Sequence, residues 1–341
     1  MLVIAPSWVG DAILSEPLIA KLRATGVEAP IDVVAQRWCA PVYARMRGIG
    51  RIIDSPAGHG QLALRDRRNL GIALRAERYT HAYVLPNTWK SALVPWFANI
   101  PKRIGYRGEG RYGLLTDARR VDRAVPQLVA RYAALANGVA ARDLEPPRPV
   151  LVPDRGNLEE AMRSLGLSQQ RPIVIFCPGA EFGPAKRWPI EHFATLGRRL
   201  LAEGHAIWIF GSGNDAPIGN ELYRALESAP LVSDLSGRTD LGTAIDLMSA
   251  ATLVVSNDSG LMHAAAAVRA PLVALFGSSS PAYTPPLSDT ARVARIEISC
   301  SPCFKRKCPL GHFRCMRDLS PELVYNLART TSAPAAPPTP R

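Results

Sequence analysis

No run of about 20 clean apolar residues occurs in the 341-residue chain, so nothing in it reads as a membrane-spanning helix. The longest weakly polar stretch, Leu261 to Phe276, is broken by His263, Arg269 and Pro271. The opening segment has no basic residue ahead of its apolar ones and no small-residue cleavage site, so it does not read as a signal peptide, and a cytoplasmic protein is expected. Also missing is any Asp-x-Asp pair, the two-carboxylate grip that a nucleotide-bound metal would use. One literal G-x-G-x-x-G, Gly108 to Gly113, follows no strong strand and leads into Leu114-Leu-Thr-Asp117, which does not read as a helix. The dinucleotide fingerprint fails on that context. The basic aromatic sequence around it reads instead as a loop for an anionic acceptor.

The apolar fraction of 47% and charged fraction of 21% are those of a globular protein, which excludes a disordered chain, a fibre and a small disulfide scaffold. The length predicts two domains. The net charge of +12 is uneven: residues 1–150 carry 22 basic and 12 acidic residues, the remainder 19 and 17. A first half at +10 beside a second half at +2 implies an anionic partner for the first. Nucleic acid, an anionic membrane surface and a phosphorylated glycolipid all fit, and so does a simple compositional bias, because arginines outnumber lysines 35 to six.

Short apolar runs alternate with helix-length segments. Strands are predicted at Leu2–Ala5, Ile31–Ala35, Arg51–Asp54 and His81–Leu85, with helices after Gly10 and over 62–75 and 89–98. Four prolines within residues 143–153 mark a linker. The pattern then restarts, with strands at Ile173–Cys177, Ala206–Phe210, Leu253–Ser256 and Leu272–Phe276 and helices at 190–202, 215–227, 241–250 and 260–268. The expected architecture is α/β: two Rossmann-like parallel-sheet domains, residues 1–150 and 151–331, facing a central cleft, with a disordered proline-rich tail over 332–341.

Open α/β sheets bind ligands beyond the carboxyl ends of their strands, so the loops there carry the chemistry. Asp11 ends the first such loop, either as a helix N-cap or as a general base. Lys186 stands in the long loop Cys177 to Pro189, where an ammonium can meet a phosphate. Asp215 closes a small-residue turn after Phe210. Asp258, Ser259 and Gly260 open a helix whose free N–H groups attract anions, and His263 follows one turn on.

Cys300, Cys303, Cys308 and Cys315, with His312 among them, have spacings that resemble a structural zinc site, although free thiols without metal fit as well. Lys305, Arg306, Lys307 and Arg314 make that loop basic, so a zinc-containing nucleic-acid-binding protein is a rival reading. It leaves the strand-end loops unexplained, and no nucleic-acid partner is expected.

In order and spacing, several segments together resemble the bacterial heptosyltransferases of glycosyltransferase family 9. These are Pro6-Ser-Trp-Val-Gly-Asp11, Arg103-Ile-Gly-Tyr-Arg107 with Arg111-Tyr-Gly-Leu-Leu115, Pro178-Gly-Ala with Lys186-Arg-Trp-Pro189, Ser256 to His263, and Leu275-Phe-Gly-Ser278. Cys300-Ser-Pro-Cys303 to Cys308-Pro-Leu-Gly-His312 resembles the type II branch in particular. The resemblance spans roughly residues 1–330. It implies a GT-B fold with the acceptor on the first domain, ADP-heptose on the second, and the last helix (321–331) packing back on the first. It also implies inverting heptose transfer onto the heptose of the Kdo–lipid A inner core, at the cytoplasmic face of the inner membrane, with no cofactor or catalytic metal required. Asp11 matches the family's catalytic aspartate. Lys186, Asp215, Asp258, Ser259, Gly260 and His263 match donor positions, and Arg103, Tyr106, Arg107 and Arg111 are acceptor-side candidates. Glu181-Phe182 departs from the small hydroxyl residues that some relatives carry near the diphosphate. A type I acceptor preference, another nucleotide-sugar transfer, or a noncatalytic lipopolysaccharide-binding protein on the same fold are the alternatives.

Overall fold

The computed structural model describes residues 1–25, 30–58, 60–136, 145 and 147–331. The chain divides into two compact units, Met1–Val152 and Pro153–Arg341. Of the predicted linker, residues 143, 144 and 146 lie outside the described residues, as does the predicted tail.

The first unit runs β1 (Leu2–Ile4), α1 (Val9–Leu14), α2 (Glu16–Ala24), β2 (Ile31–Ala35), α3 (Ala40–Tyr43), β3 (Ile49–Asp54) and α4 (Leu64–Ala73). It continues with β4 (His81–Val84), α5 (Leu93–Phe97), β5 (Lys102–Tyr106), β6 (Asp117–Arg119) and α6 (Leu128–Ala134). Its six strands are all parallel, in the order β3-β2-β1-β4-β5-β6. The central strands are buried on both faces, as a parallel sheet covered by helices requires. The expected single helix after Gly10 is two helices, because Pro17 starts α2 anew and the Ser15 hydroxyl turns back to the Ala12 carbonyl at 2.6 Å.

One correction concerns residues 103–107, expected as a loop. Lys102–Tyr106 is instead strand β5, in register with β4 from His81↔Lys102 onward. Only Ile104, Gly105 and Tyr106 of this strand are buried, so its sequence lacks the continuous apolar run of its neighbours. Gly105 is required there, since a Cβ would lie 2.8 Å from the Val84 carbonyl oxygen.

The second unit runs α7 (Arg155–Ser164), β7 (Ile173–Cys177), α8 (Ile190–Ala202), β8 (Ala206–Ile209), α9 (Ala216–Ala225), β9 (Val232–Asp234) and α10 (Leu241–Met248). Then follow β10 (Leu253–Asn257), α11 (Gly260–Ala267), β11 (Leu272–Leu275), β12 (Ala291–Ala294), α12 (Arg314–Arg317) and α13 (Pro321–Thr331). Its parallel sheet has the order β12-β11-β10-β7-β8-β9, which repeats the topology of the first. Phe176, Trp188, Phe193, Ile207, Val255 and Leu275 anchor its core, and Val324, Tyr325 and Ala328 of α13 join it. In each sheet the strand order reverses at one place, between β1 and β4 and between β7 and β10. Ligands of doubly wound sheets bind at that switch point.

Glu16 is buried in the first unit, where Oε2 accepts the Val150 N–H at 3.1 Å. Burial pushes its carboxyl up to about 7, partly offset by that hydrogen bond. An acid whose pKa is raised on folding contributes most stability below its unfolded pKa and loses that contribution as pH climbs through the folded value. The expected result is that Glu16→Gln melts higher than the parent at pH 8, and that the advantage vanishes at pH 5. The full swing is on the order of 3 kcal/mol, and paired thermal melts at the two pH values read it.

Candidate active site

The carboxyl ends of β7 and β10 converge at the switch point of the second unit. β10 is apolar until Ser256 and Asn257, both fully buried. Asn257 is the staple: its Oδ1 accepts the Trp188 N–H at 3.0 Å and its Nδ2 donates to the Pro178 carbonyl at 2.7 Å. One side chain thus ties both ends of the loop after β7 to the end of β10. Inside that loop, Lys186 Nζ donates to Asp258 Oδ2 at 2.5 Å, and the Ser279 hydroxyl donates to the same oxygen. Asp258 is buried and Lys186 nearly so, with side-chain exposures of 5% and 17%. The pair lies at the entry to α11, whose N-cap Ser259 makes no capping bond with its side chain. The N-cap side chain therefore does not satisfy the amides of the first turn.

His263 is buried on α11. Burial lowers its imidazole to about 4; the nearby Asp258 opposes this and Lys186 reinforces it. The ring is neutral at physiological pH and adds no positive charge to this end of the sheet. The expected observation is that its ring protons do not titrate between pH 5.5 and 8 in an NMR titration. A midpoint near the ordinary histidine value would contradict the buried placement.

Asp215 is also buried; its Oδ2 accepts both the Ser212 amide at 3.0 Å and the Ser212 hydroxyl at 2.7 Å. Its carboxylate lies directly over Gly179, where any Cβ would collide with it. Asp215 thereby braces the loops after β7 and β8 against each other. The neighbouring Ser236 hydroxyl, itself buried, has no hydrogen-bond partner among the described residues. Beyond β11 and β12 a cavity of about 370 Å³ begins at Ser279 and is lined by Arg295, Glu297, Ser299 and Ser301.

In the first unit, Asp11 is the third residue of α1 and lies in its first turn, with Trp8 as the N-cap. The N-cap role considered for Asp11 is therefore taken by another residue. The carboxylate is half-buried, and its charge helps raise the Cys39 thiol to about 12, an effect second to burial. It also reaches the buried Tyr43 and Tyr132 phenols. The preceding loop is fixed by Trp38, whose indole N–H donates to the Ser7 carbonyl at 2.8 Å. Ser7 and Trp8 line a cavity of about 290 Å³ beyond β1 and β2, together with Gln36, Arg67 and Lys90.

The acceptor-side candidates have mostly structural partners. Arg103 donates to the carbonyls of Ile100 and Leu114, each at 2.6 Å, and Arg107 to that of Ala118 at 3.0 Å. The Tyr106 hydroxyl donates to the Arg131 carbonyl at 2.6 Å. Arg111 is buried; Nη1 donates to the Pro86 carbonyl at 2.6 Å and Nε to that of Tyr106 at 3.0 Å. Burial lowers its guanidinium to about 10. None of the four is among the described residues lining the 290 Å³ cavity. Its Gln36, Arg67 and Lys90 went unnoticed in the sequence because they belong to no motif.

Residues 67–314 match the model of "Glycosyltransferase family 9 (heptosyltransferase)". The chain belongs to glycosyltransferase family 9. This heptosyltransferase-family chain is 48% identical over 336 residues to lipopolysaccharide heptosyltransferase 2 of Salmonella typhimurium, covering 95% of this chain and 96% of that one. It is 46% identical over 333 residues to lipopolysaccharide heptosyltransferase 2 of Escherichia coli, with the same coverages. The solved structure of the E. coli ADP-heptose LPS heptosyltransferase II superposes with a TM-score of 0.87 at 44% identity, covering 97% of this chain and 98% of that one. The family 9 membership accounts for both Rossmann-like sheets and makes the chain a glycosyltransferase.

Proposed function

We propose that the chain transfers L-glycero-D-manno-heptose from ADP-heptose onto the first heptose of the Kdo–lipid A inner core in lipopolysaccharide core synthesis. The observation that carries this reading is the buried Lys186–Asp258 pair at the entry to α11, at the switch point where a doubly wound sheet takes its nucleotide. The names and identities of the type 2 relatives support the choice of sugar and acceptor.

The second unit holds the donor. The diphosphate takes the α11 amides at Ser259 and Gly260 and shares Lys186 with Asp258, so the charge that grows on departing ADP is met by donors already in place. Asp215 and the unpartnered Ser236 hydroxyl face the nucleoside, and neutral His263 orients the donor. The first unit holds the acceptor, and its +10 charge suits the anionic Kdo–lipid A. Asp11 removes the proton from the acceptor hydroxyl as the oxygen attacks the anomeric carbon. The C–O bond to ADP breaks on the opposite face, which inverts the configuration, and the proton ends on Asp11. Lys186 and the helix amides do the electrostatic work usually given to a divalent ion, so the chemistry requires no added metal. Among the described residues no helix is long and apolar enough to cross a membrane, and contact with the inner membrane is through the lipid-linked acceptor.

The test is transfer from ADP-heptose to heptosyl-Kdo–lipid A and, separately, to Kdo–lipid A lacking heptose, each with and without brief EDTA. Transfer to the first acceptor alone, unchanged by EDTA, is the expected result. Transfer to the second acceptor alone would make the enzyme type I, and dependence on Mg²⁺ would overturn the metal-free step.

A further inference from the structure

The zinc site considered at Cys300, Cys303, Cys308 and Cys315 is not formed: among the described residues no three His, Cys, Asp or Glu side chains are placed to hold a metal. A different feature stands out in the first unit. The six tryptophans are divided unevenly between the two units. Trp188 and Trp208 of the second are buried, at 1% and 2% exposure, whereas Trp8, Trp38, Trp89 and Trp96 of the first are 39–46% exposed. Trp8 lines the 290 Å³ cavity and Trp38 fixes the loop beside it, but Trp89 and Trp96 have no part in the chemistry above. An indole left partly in water favours a boundary between apolar and aqueous surroundings.

The neighbours of these two rings form one continuous face. Trp96 lies on α5 with its ring edge-on to Phe97, the centroids 4.8 Å apart. That helix seats on α4 at Gly71, where a Cβ would collide with Phe97 and the Val94 carbonyl. Arg75 Nε ties the end of α4 to α5 by donating to the Phe97 carbonyl at 2.8 Å. The buried side of α4 is Arg67 and Gly71, so Leu64, Arg68 and Ile72, each four residues on, make an exposed stripe along one flank. Lys90, next to Trp89, donates to the Gly60 carbonyl at 2.8 Å and joins that turn to the segment before α4. Residues 62–78 hold five arginines and two carboxylates, and one of the two, Glu77, is committed to Arg51 at 2.8 Å. Exposed apolar side chains thus stand among uncompensated arginines. Arg67 and Lys90 also line the 290 Å³ cavity, so the elements that carry this face wall the cavity as well.

We propose that the face carrying Leu64, Arg68, Ile72, Trp89 and Trp96 docks directly on a negatively charged phospholipid surface. The arginines meet lipid phosphates, Leu64 and Ile72 enter the headgroup layer, and the indoles settle at its boundary. A second copy of the chain would cover the same apolar residues, but it would bring the same arginines against each other. An anionic surface satisfies both parts of the face at once. The inference goes beyond the reading above, in which only the acceptor's lipid reaches the membrane, and it holds for a bilayer that contains no acceptor. Docking brings the cavity wall beside the layer from which a lipid-linked acceptor is drawn.

The test uses the full-length protein and acceptor-free vesicles, of phosphatidylcholine alone or with about 30% phosphatidylglycerol. Sedimentation should show binding to the anionic vesicles only, weakening as salt rises from about 0.05 to about 0.5 M. Arg65→Glu with Arg68→Glu should weaken binding about 10–100-fold, and Ile72→Ser with Trp96→Ser about tenfold. Lipids brominated in their acyl chains should quench the parent's tryptophan fluorescence, and Trp96→Phe should lose part of that quenching. Both paired variants should melt like the parent and transfer heptose at the parent rate to acceptor dispersed in detergent. A parent inactive on that acceptor removes the transferase reading and leaves the vesicle result to decide this one. A parent that stays in the supernatant with anionic vesicles overturns the proposal. So does vesicle binding that the paired variants leave unchanged, which puts the contact elsewhere. A parent dimer that dissociates in the Ile72→Ser, Trp96→Ser protein overturns it too, because a second copy then covers the face.

Discussion

Replacing Asp11 by alanine is expected to lower kcat/KM for heptose transfer by about 10²–10⁴-fold, the range a positioned general base contributes. The loss should appear in kcat with little change in donor affinity, because Asp11 belongs to the first unit and the groups proposed to hold the donor to the second. Asp11→Asn should behave alike: it keeps the size and hydrogen bonding but cannot take a proton. Steady-state kinetics together with ADP calorimetry separates this from misfolding. An alanine variant that transfers heptose at the parent rate would remove the base assignment.

The second large effect is at Lys186. Lys186→Met leaves Asp258 buried with the Ser279 hydroxyl but without its cation. Breaking a buried pair from one side costs about 3–5 kcal/mol, a fall in melting temperature on the order of 10 °C for a unit of this size. Lys186→Met combined with Asp258→Asn should recover most of that stability, since the uncompensated charge is gone. It should not recover function. Loss of the charge-assisted contact with diphosphate should weaken ADP binding about 10–100-fold in both variants. The two readouts separate the fold from the site: stability returns in the double variant and ADP binding does not.

Much of this arrangement is legible in the sequence. Ile173–Cys177 and Ile31–Ala35 are strands with the predicted bounds, because central parallel strands are apolar throughout. Strands β6, β9 and β12 are not visible that way. Two are three residues long and one is four, all three lie toward sheet edges, and Asp-Ala-Arg or Val-Ser-Asp carries no periodic signal. Strand β5 was hidden for the same reason, its outer residues being Lys102 and Arg103. In the site, Asp258, Gly260 and Lys186 could be found because each occurs in a loop that follows a clear strand. Asn257 was overlooked because a buried asparagine at a strand end resembles the first residue of a loop. The carbonyl partners of Arg103 and Arg111 could not be read in advance, because a guanidinium that satisfies carbonyls and one that binds phosphate are the same residue in a sequence.

The repeated strand order also bears on how the chain is made. In each sheet the first strand ends up in the middle, so one of its flanks closes only when the fourth strand of that unit arrives. For β1 that means waiting until His81–Val84 has left the ribosome, and for β7 until Leu253–Asn257 has. Until then an apolar strand edge stands open to any other chain. Synthesis of the second half therefore passes through a window of roughly 45 residues, from Ile209 to Leu253, in which β7 has β8 beside it and nothing on its other flank. A chain terminated inside that window has no means of closing the edge, and self-association through β7 is the expected fate of such fragments.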